Sequence, residues 1–73
     1  VALMITKIRV TNPNGDVFTT SIANLPHIAL GANGGGYTTN QTMRAMADGQ
    51  AVHDGLTVKR NGWTIEPIRD TEN

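Results

Sequence analysis

The chain has 73 residues, six Lys or Arg against six Asp or Glu, and no cysteine. This length allows one domain with a thin core. The missing thiols exclude disulfides and thiolate zinc sites, and zero formal charge excludes a uniformly basic surface. The charge is uneven, +2 over residues 1–60 and −2 over residues 61–73, a mildly basic body ahead of an acidic end. No apolar run approaches the roughly 20 residues of a membrane span, and Val1–Ile5 is too short for a signal peptide. A cytoplasmic protein with no membrane partner is therefore expected.

Met4 to Thr11 alternates with period two, placing Met4, Ile8 and Val10 on one face and Lys7 and Arg9 on the other. Asn12-Pro13-Asn14-Gly15 follows. Proline pre-sets the first central position of a type I turn, and glycine takes the left-handed conformation that closes a three-residue hairpin loop. Pairing Asn12 with Asp16 sets Val10 opposite Phe18 and Ile8 opposite Thr20, with Phe18 on the apolar face.

A short helix is expected next, capped by Asn24, with Pro26 in its first turn and Gly31 at its end. Leu25, Ile28 and Ala29 share its inner face. Ser21 is a rival cap, but a helix starting there would hold Pro26 in its interior at about 3 kcal/mol. Residues 32–36 are expected to be a flexible connector. A second helix of two to three turns then starts at Thr38 or Thr39 and stops at Gly49, with Met43, Met46 and Ala47 as its inward stripe. Asn61-Gly62 is a strong two-residue hairpin signal. It pairs Arg60 with Trp63, Lys59 with Thr64 and Val58 with Ile65, and puts Leu56, Val58, Arg60, Trp63, Ile65 and Pro67 on one side. The expected fold is α+β: hairpin, two short helices, hairpin, as one domain over residues 1–68 with a frayed tail at 69–73, the helices covering one face of a sheet.

Chemical motifs are sparse. The glycines at 34–36 are followed by Tyr37 and not by the Lys-Ser/Thr of a phosphate loop. Ser21 has no base at a recognisable offset, and Asp54-Gly55 reads as a turn. His27 and His53 are isolated, and Asn40-Gln41-Thr42 matches a glycosylation sequon by chance. No catalytic residue, metal ligand set or cofactor motif emerges, so no enzyme is expected. The second helix carries more information. Asn and Gln suit adenine, Arg suits guanine or phosphate, and threonines and helix N-terminal amides suit phosphate. Thr39, Asn40, Gln41, Thr42 and Arg44 offer these groups in the first turns of a helix, with Lys59 and Arg60 as further phosphate contacts.

The order of these pieces resembles the small helix-turn-helix modules appended to phage homing endonucleases, the nuclease-associated modular DNA-binding repeats. The matching segments are Asn14 to Thr20, Leu25 to Gly31, Thr39 to Gly49 and His53-Asp54-Gly55-Leu56-Thr57-Val58, a likeness covering about residues 8–60. It implies a phage- or bacterium-type DNA-binding module whose polar helix contacts DNA, which carries over to Asn40, Gln41, Thr42 and Arg44 and to Lys59 and Arg60. Asp54 stands where those modules often carry lysine, and Leu56 where they often carry an aromatic. The alternative expectation is a phage accessory or inhibitor-like protein that docks on a host protein through Met43, Met46 and Trp63. A homodimer is compatible with either.

Overall fold

A computed structural model describes residues 4–69; of the tail expected at 69–73, Arg69 ends the last strand and residues 70–73 lie outside the described residues. Four strands and two helices form an α+β unit: β1 (Ile5–Thr11), β2 (Val17–Ser21), α1 (Leu25–Ala32), α2 (Thr39–His53), β3 (Val58–Arg60) and β4 (Trp63–Arg69), with a 3-10 turn at Ile22–Asn24 before α1. The sheet is antiparallel in the order β2-β1-β4-β3, so the first and last strands lie together at its centre.

Both hairpins keep the register set by their turns. Val10 faces Phe18 and Ile8 faces Thr20. The Asn12 N–H donates to the Asp16 carbonyl at 2.9 Å, with Gly15 at φ +92°. In the second hairpin Asn61 and Gly62 both take positive φ, 51° and 86°, as a type I′ turn requires. Val58, Lys59 and Arg60 pair with Ile65, Thr64 and Trp63.

One face of the sheet holds the core. Ile8, Val10, Val58 and Ile65 pack with Leu25 of α1 and Val52 of α2, and Ile22, Ile28, Ala51 and Trp63 lie half-buried around them. Each fully buried large side chain contributes about 1.5–3 kcal/mol. The helices lie toward the β3 side of the sheet and leave the β2 edge open. Phe18, expected inward, is 43% exposed although it shares the core-side face with Val10, and Met4 is 64% exposed.

The helices depart from expectation in four ways. α1 runs through Gly31 to Ala32, and Ser21 accepts from the Ala23 N–H to cap the 3-10 turn ahead of it. The connector is a fixed turn rather than a flexible one: Gly35 N–H donates to Leu30 O and Gly34 N–H to Gly31 O, the two bonds of a Schellman ending, while Asn33 is 4% exposed. α2 continues past Gly49 for another turn, because Val52 belongs to the core. Asp54 and Gly55 form the expected turn and end the helix, whereas Leu56, expected on the apolar side of the second hairpin, is 59% exposed.

The inward stripe of α2 is also different. Met43 and Met46 are 62% and 70% exposed and Ala47 is exposed, whereas Ala45, Asp48 and Val52 are buried. Small residues explain the rotation. Ala29, Ala32, Ala45 and Gly49 line the contact between the helices, and Leu25 lies about 4.0 Å from where a Gly49 Cβ would stand. Methionines at that seam would hold the helices apart.

Candidate nucleic-acid interface

The start of α2 is held by a reciprocal cap. Thr38 Oγ1 accepts from the Gln41 N–H at 3.2 Å, while Gln41 Oε1 accepts from the Thr38 N–H and hydroxyl at 3.4 and 2.9 Å. Gln41 also reaches back, its Nε2 donating to Asn33 O at 3.0 Å. Its side chain lies so close over the turn that a Cβ on Gly34 would come 2.8 Å from Nε2. Glycine is needed there for space and for its φ of +104°.

Below the cap lies a polar cluster that fastens the helical pair to the second hairpin. Asn33 Nδ2 donates to Ala29 O and to Asp48 Oδ2, at 2.9 and 3.1 Å. Arg44 Nε donates to Asn33 Oδ1 at 3.3 Å. Arg60 closes a two-pronged ion pair on Asp48, with Nε to Oδ2 at 3.1 Å and Nη2 to Oδ1 at 2.9 Å. Asn61 Nδ2 donates to Ala32 O at 2.9 Å. Among the described residues, every buried side-chain nitrogen and oxygen has a partner. Burial pushes the Asp48 carboxyl up, but the hydrogen bonds from Arg60 and Asn33 and the charges of Arg60 and Arg44 outweigh it. The group titrates below its ordinary value of 3.8, and its carboxylate in turn raises Arg60.

The cluster sorts the seven sequence-selected residues. Thr39 and Asn40 stand exposed at the tip of α2, and Arg44, also exposed, lies one turn on from Asn40 with its Nε donating to Asn33. Thr42 is exposed on the other flank of the helix, where it lines an apolar cleft. Gln41 is occupied by the cap and by Asn33, and two nitrogens of Arg60 are committed to Asp48. Lys59 neighbours Arg60 in sequence but projects from the outer face of the sheet, since alternation along β3 turns Val58 and Arg60 toward the helices. It lies in the same outer face as Lys7, Arg9 and Glu66. The structure thus brings Asn40 and Arg44 to one edge of α2, leaves Thr39 at its tip, and separates Lys59 from them.

No family model, curated protein or solved structure matches this chain.

Asn33 and Asp48 were missed by sequence reasoning, as polar residues in a glycine-rich stretch and on a helix. A signal does exist: residues 41, 45, 48 and 52 follow a regular helical face, visible only once polarity is disregarded. Among the described residues no group of three or more His, Asp or Glu is placed to hold a metal ion, and no helix is long and apolar enough to cross a membrane.

Proposed function

We propose that this is a non-catalytic DNA-binding module that lays the tip of α2 against a groove. What supports the reading is the rigid presentation of that tip. Thr38 and Gln41 cap it, and Asn33 ties it to α1 through Gln41 and Arg44. Thr39 and Asn40 are left exposed, and recognition helices read base edges with such N-terminal residues. Asn40 supplies an amide suited to adenine and Arg44 a guanidinium suited to phosphate or guanine. Gln41 and Arg60 act one layer below, fixing the helix. With Arg44 as the cation at this edge, binding is weak and its salt dependence shallow, on the order of one counterion.

Fluorescence anisotropy with a labelled duplex at low salt tests the reading. Arg44→Ala weakens binding and lowers the salt dependence by about one counterion. Lys59→Ala, on the opposite face of the sheet, changes affinity much less. Equal affinity in Arg44→Ala, Asn40→Ala and the parent chain refutes this interface.

One observation favours a second reading, a protein-docking module. Met43, Met46 and Tyr37 are 62%, 70% and 84% exposed beside an open apolar cleft, and methionine-rich surfaces suit adaptable protein contacts. Trp63, the other residue expected to serve such contacts, is half-buried against the core. A chain that binds no duplex at low salt but retains this surface would be assigned to that class.

A further inference from the structure

Asparagine followed by glycine occurs three times, at Asn14-Gly15, Asn33-Gly34 and Asn61-Gly62. This dipeptide carries a reaction of its own. Glycine has no side chain to shield its backbone nitrogen, so that nitrogen can reach the carboxamide carbon of the asparagine before it. The three pairs are equivalent in sequence, and the structure makes them unequal. We propose that Asn14 is a site of spontaneous deamidation in the folded protein, and that Asn33 and Asn61 are shielded from the same reaction by their hydrogen bonds.

The step balances with water as the co-reactant and hydroxide as a catalyst. Hydroxide takes the proton of the Gly15 N–H, and the nitrogen attacks Asn14 Cγ to close a succinimide ring. The Cγ–Nδ2 bond breaks, ammonia leaves, and water then opens the ring. Cleavage between the nitrogen and Cγ gives aspartate, while cleavage between the nitrogen and the backbone carbonyl carbon gives isoaspartate. Nothing is oxidised or reduced. A neutral amide becomes a carboxylate, so the formal charge of the chain moves from zero to one negative.

What separates the three pairs is how much must open before nitrogen and carbon can meet. Asn33 is 4% exposed, and both ends of its amide are held: Nδ2 donates to Ala29 O and Asp48 Oδ2, and Oδ1 accepts from Arg44 Nε. The Gly34 N–H is engaged as well, on Gly31 O at 3.0 Å. Reaction there requires the polar cluster to come apart. Asn61 is exposed, yet its Nδ2 donates to Ala32 O at 2.9 Å, and Pro13 Cβ lies 3.2 Å from where a Gly62 Cβ would stand. Its carboxamide must leave α1 before it can turn toward Gly62.

Asn14 is different. Its backbone N–H donates to Asn12 Oδ1 at 2.9 Å and fixes the loop, whereas its exposed side chain makes no hydrogen bond among the described residues. The restraint that remains is on the nucleophile, because the Gly15 N–H donates to Asn12 O at 2.9 Å. That bond lies at the tip of a hairpin loop where a Gly15 Cβ would meet nothing within 4 Å, so it opens without disturbing the core. A net hydrogen bond of this kind slows the attack by about tenfold or less. No α2 residue takes part, and the inference is independent of the DNA reading.

Peptide mapping by liquid chromatography and mass spectrometry tests it, with aspartate and isoaspartate quantified at all three positions. The folded chain is incubated at mildly alkaline pH, well below its melting temperature, beside a sample unfolded in guanidinium chloride. The unfolded sample should convert at all three sites at similar rates. In the folded chain Asn14 should convert within about tenfold of its unfolded rate, and Asn33 and Asn61 at least about tenfold more slowly than Asn14. Asn14→Gln should abolish the early product and leave the thermal melt unchanged, since the Asn14 side chain holds nothing in place. A folded chain in which Asn14 converts no faster than Asn33 or Asn61 overturns the proposal.

Discussion

Asp48→Ala removes the acceptor at the centre of the polar cluster. The carboxylate, on a residue 6% exposed, accepts one hydrogen bond from Asn33 and two from Arg60. Breaking a buried ion pair costs about 3–5 kcal/mol when the orphaned charge stays buried. Here the orphan is Arg60, whose side chain is 36% exposed and can turn to water, and Asn33 Nδ2 keeps its bond to Ala29 O. Alanine's higher helix propensity returns a few tenths of a kcal/mol, leaving a loss of about 2 kcal/mol. That is a large fraction of the stability of a domain this small. Urea unfolding, followed by Trp63 fluorescence and far-ultraviolet circular dichroism, measures it. With a slope near 1 kcal/mol per molar urea, the midpoint falls by about 2 M. The effect also depends on pH. Because the folded-state pKa of Asp48 lies below its ordinary 3.8, its contribution is complete well above that value and is lost as the pH falls through the depressed one. The gap between parent and variant therefore narrows in acid. A midpoint shift below about 0.5 M at neutral pH, or a gap that widens in acid, would refute the reasoning.

Gly31 and Gly49 lie inside helices with room for a methyl group, so Gly31→Ala and Gly49→Ala should each raise stability by about 0.4–1 kcal/mol in urea melts. Gly34→Ala should lower it by more than about 1 kcal/mol, because φ is +104° and Gln41 fills the space. Thr38→Ala should cost about 1 kcal/mol and speed amide exchange selectively in the first turn of α2. Unchanged exchange there would mean that the cap does not hold the tip.

The hairpins were legible because turn chemistry fixes register locally. Pro13-Asn14-Gly15 and Asn61-Gly62 each specify a loop length, and the facing pairs follow from it. What a local pattern does not carry is how far the helices extend over the sheet, and Phe18, on the expected face, stays 43% exposed for that reason. The inner face of α2 misled for another. Apolarity points to Met43 and Met46, yet close helix packing selects Ala45 and Gly49, and the pairing of Asp48 with Arg60 lets a carboxylate occupy the buried row. The candidate site was half legible. Asn40 and Arg44 stand together at the α2 edge with Thr39 at its tip, while Gln41 and Arg60 are fastenings and Lys59 faces away, since sequence proximity says nothing about the side of a sheet.

A backbone amide NMR titration with a mixed-sequence DNA duplex, at low and then physiological salt, tests the DNA reading most directly. Shifts concentrated on residues 38–46 that weaken as salt rises are the predicted result. A spectrum unmoved at low salt, or shifts confined to the outer sheet face around Lys7, Arg9 and Lys59, would contradict it.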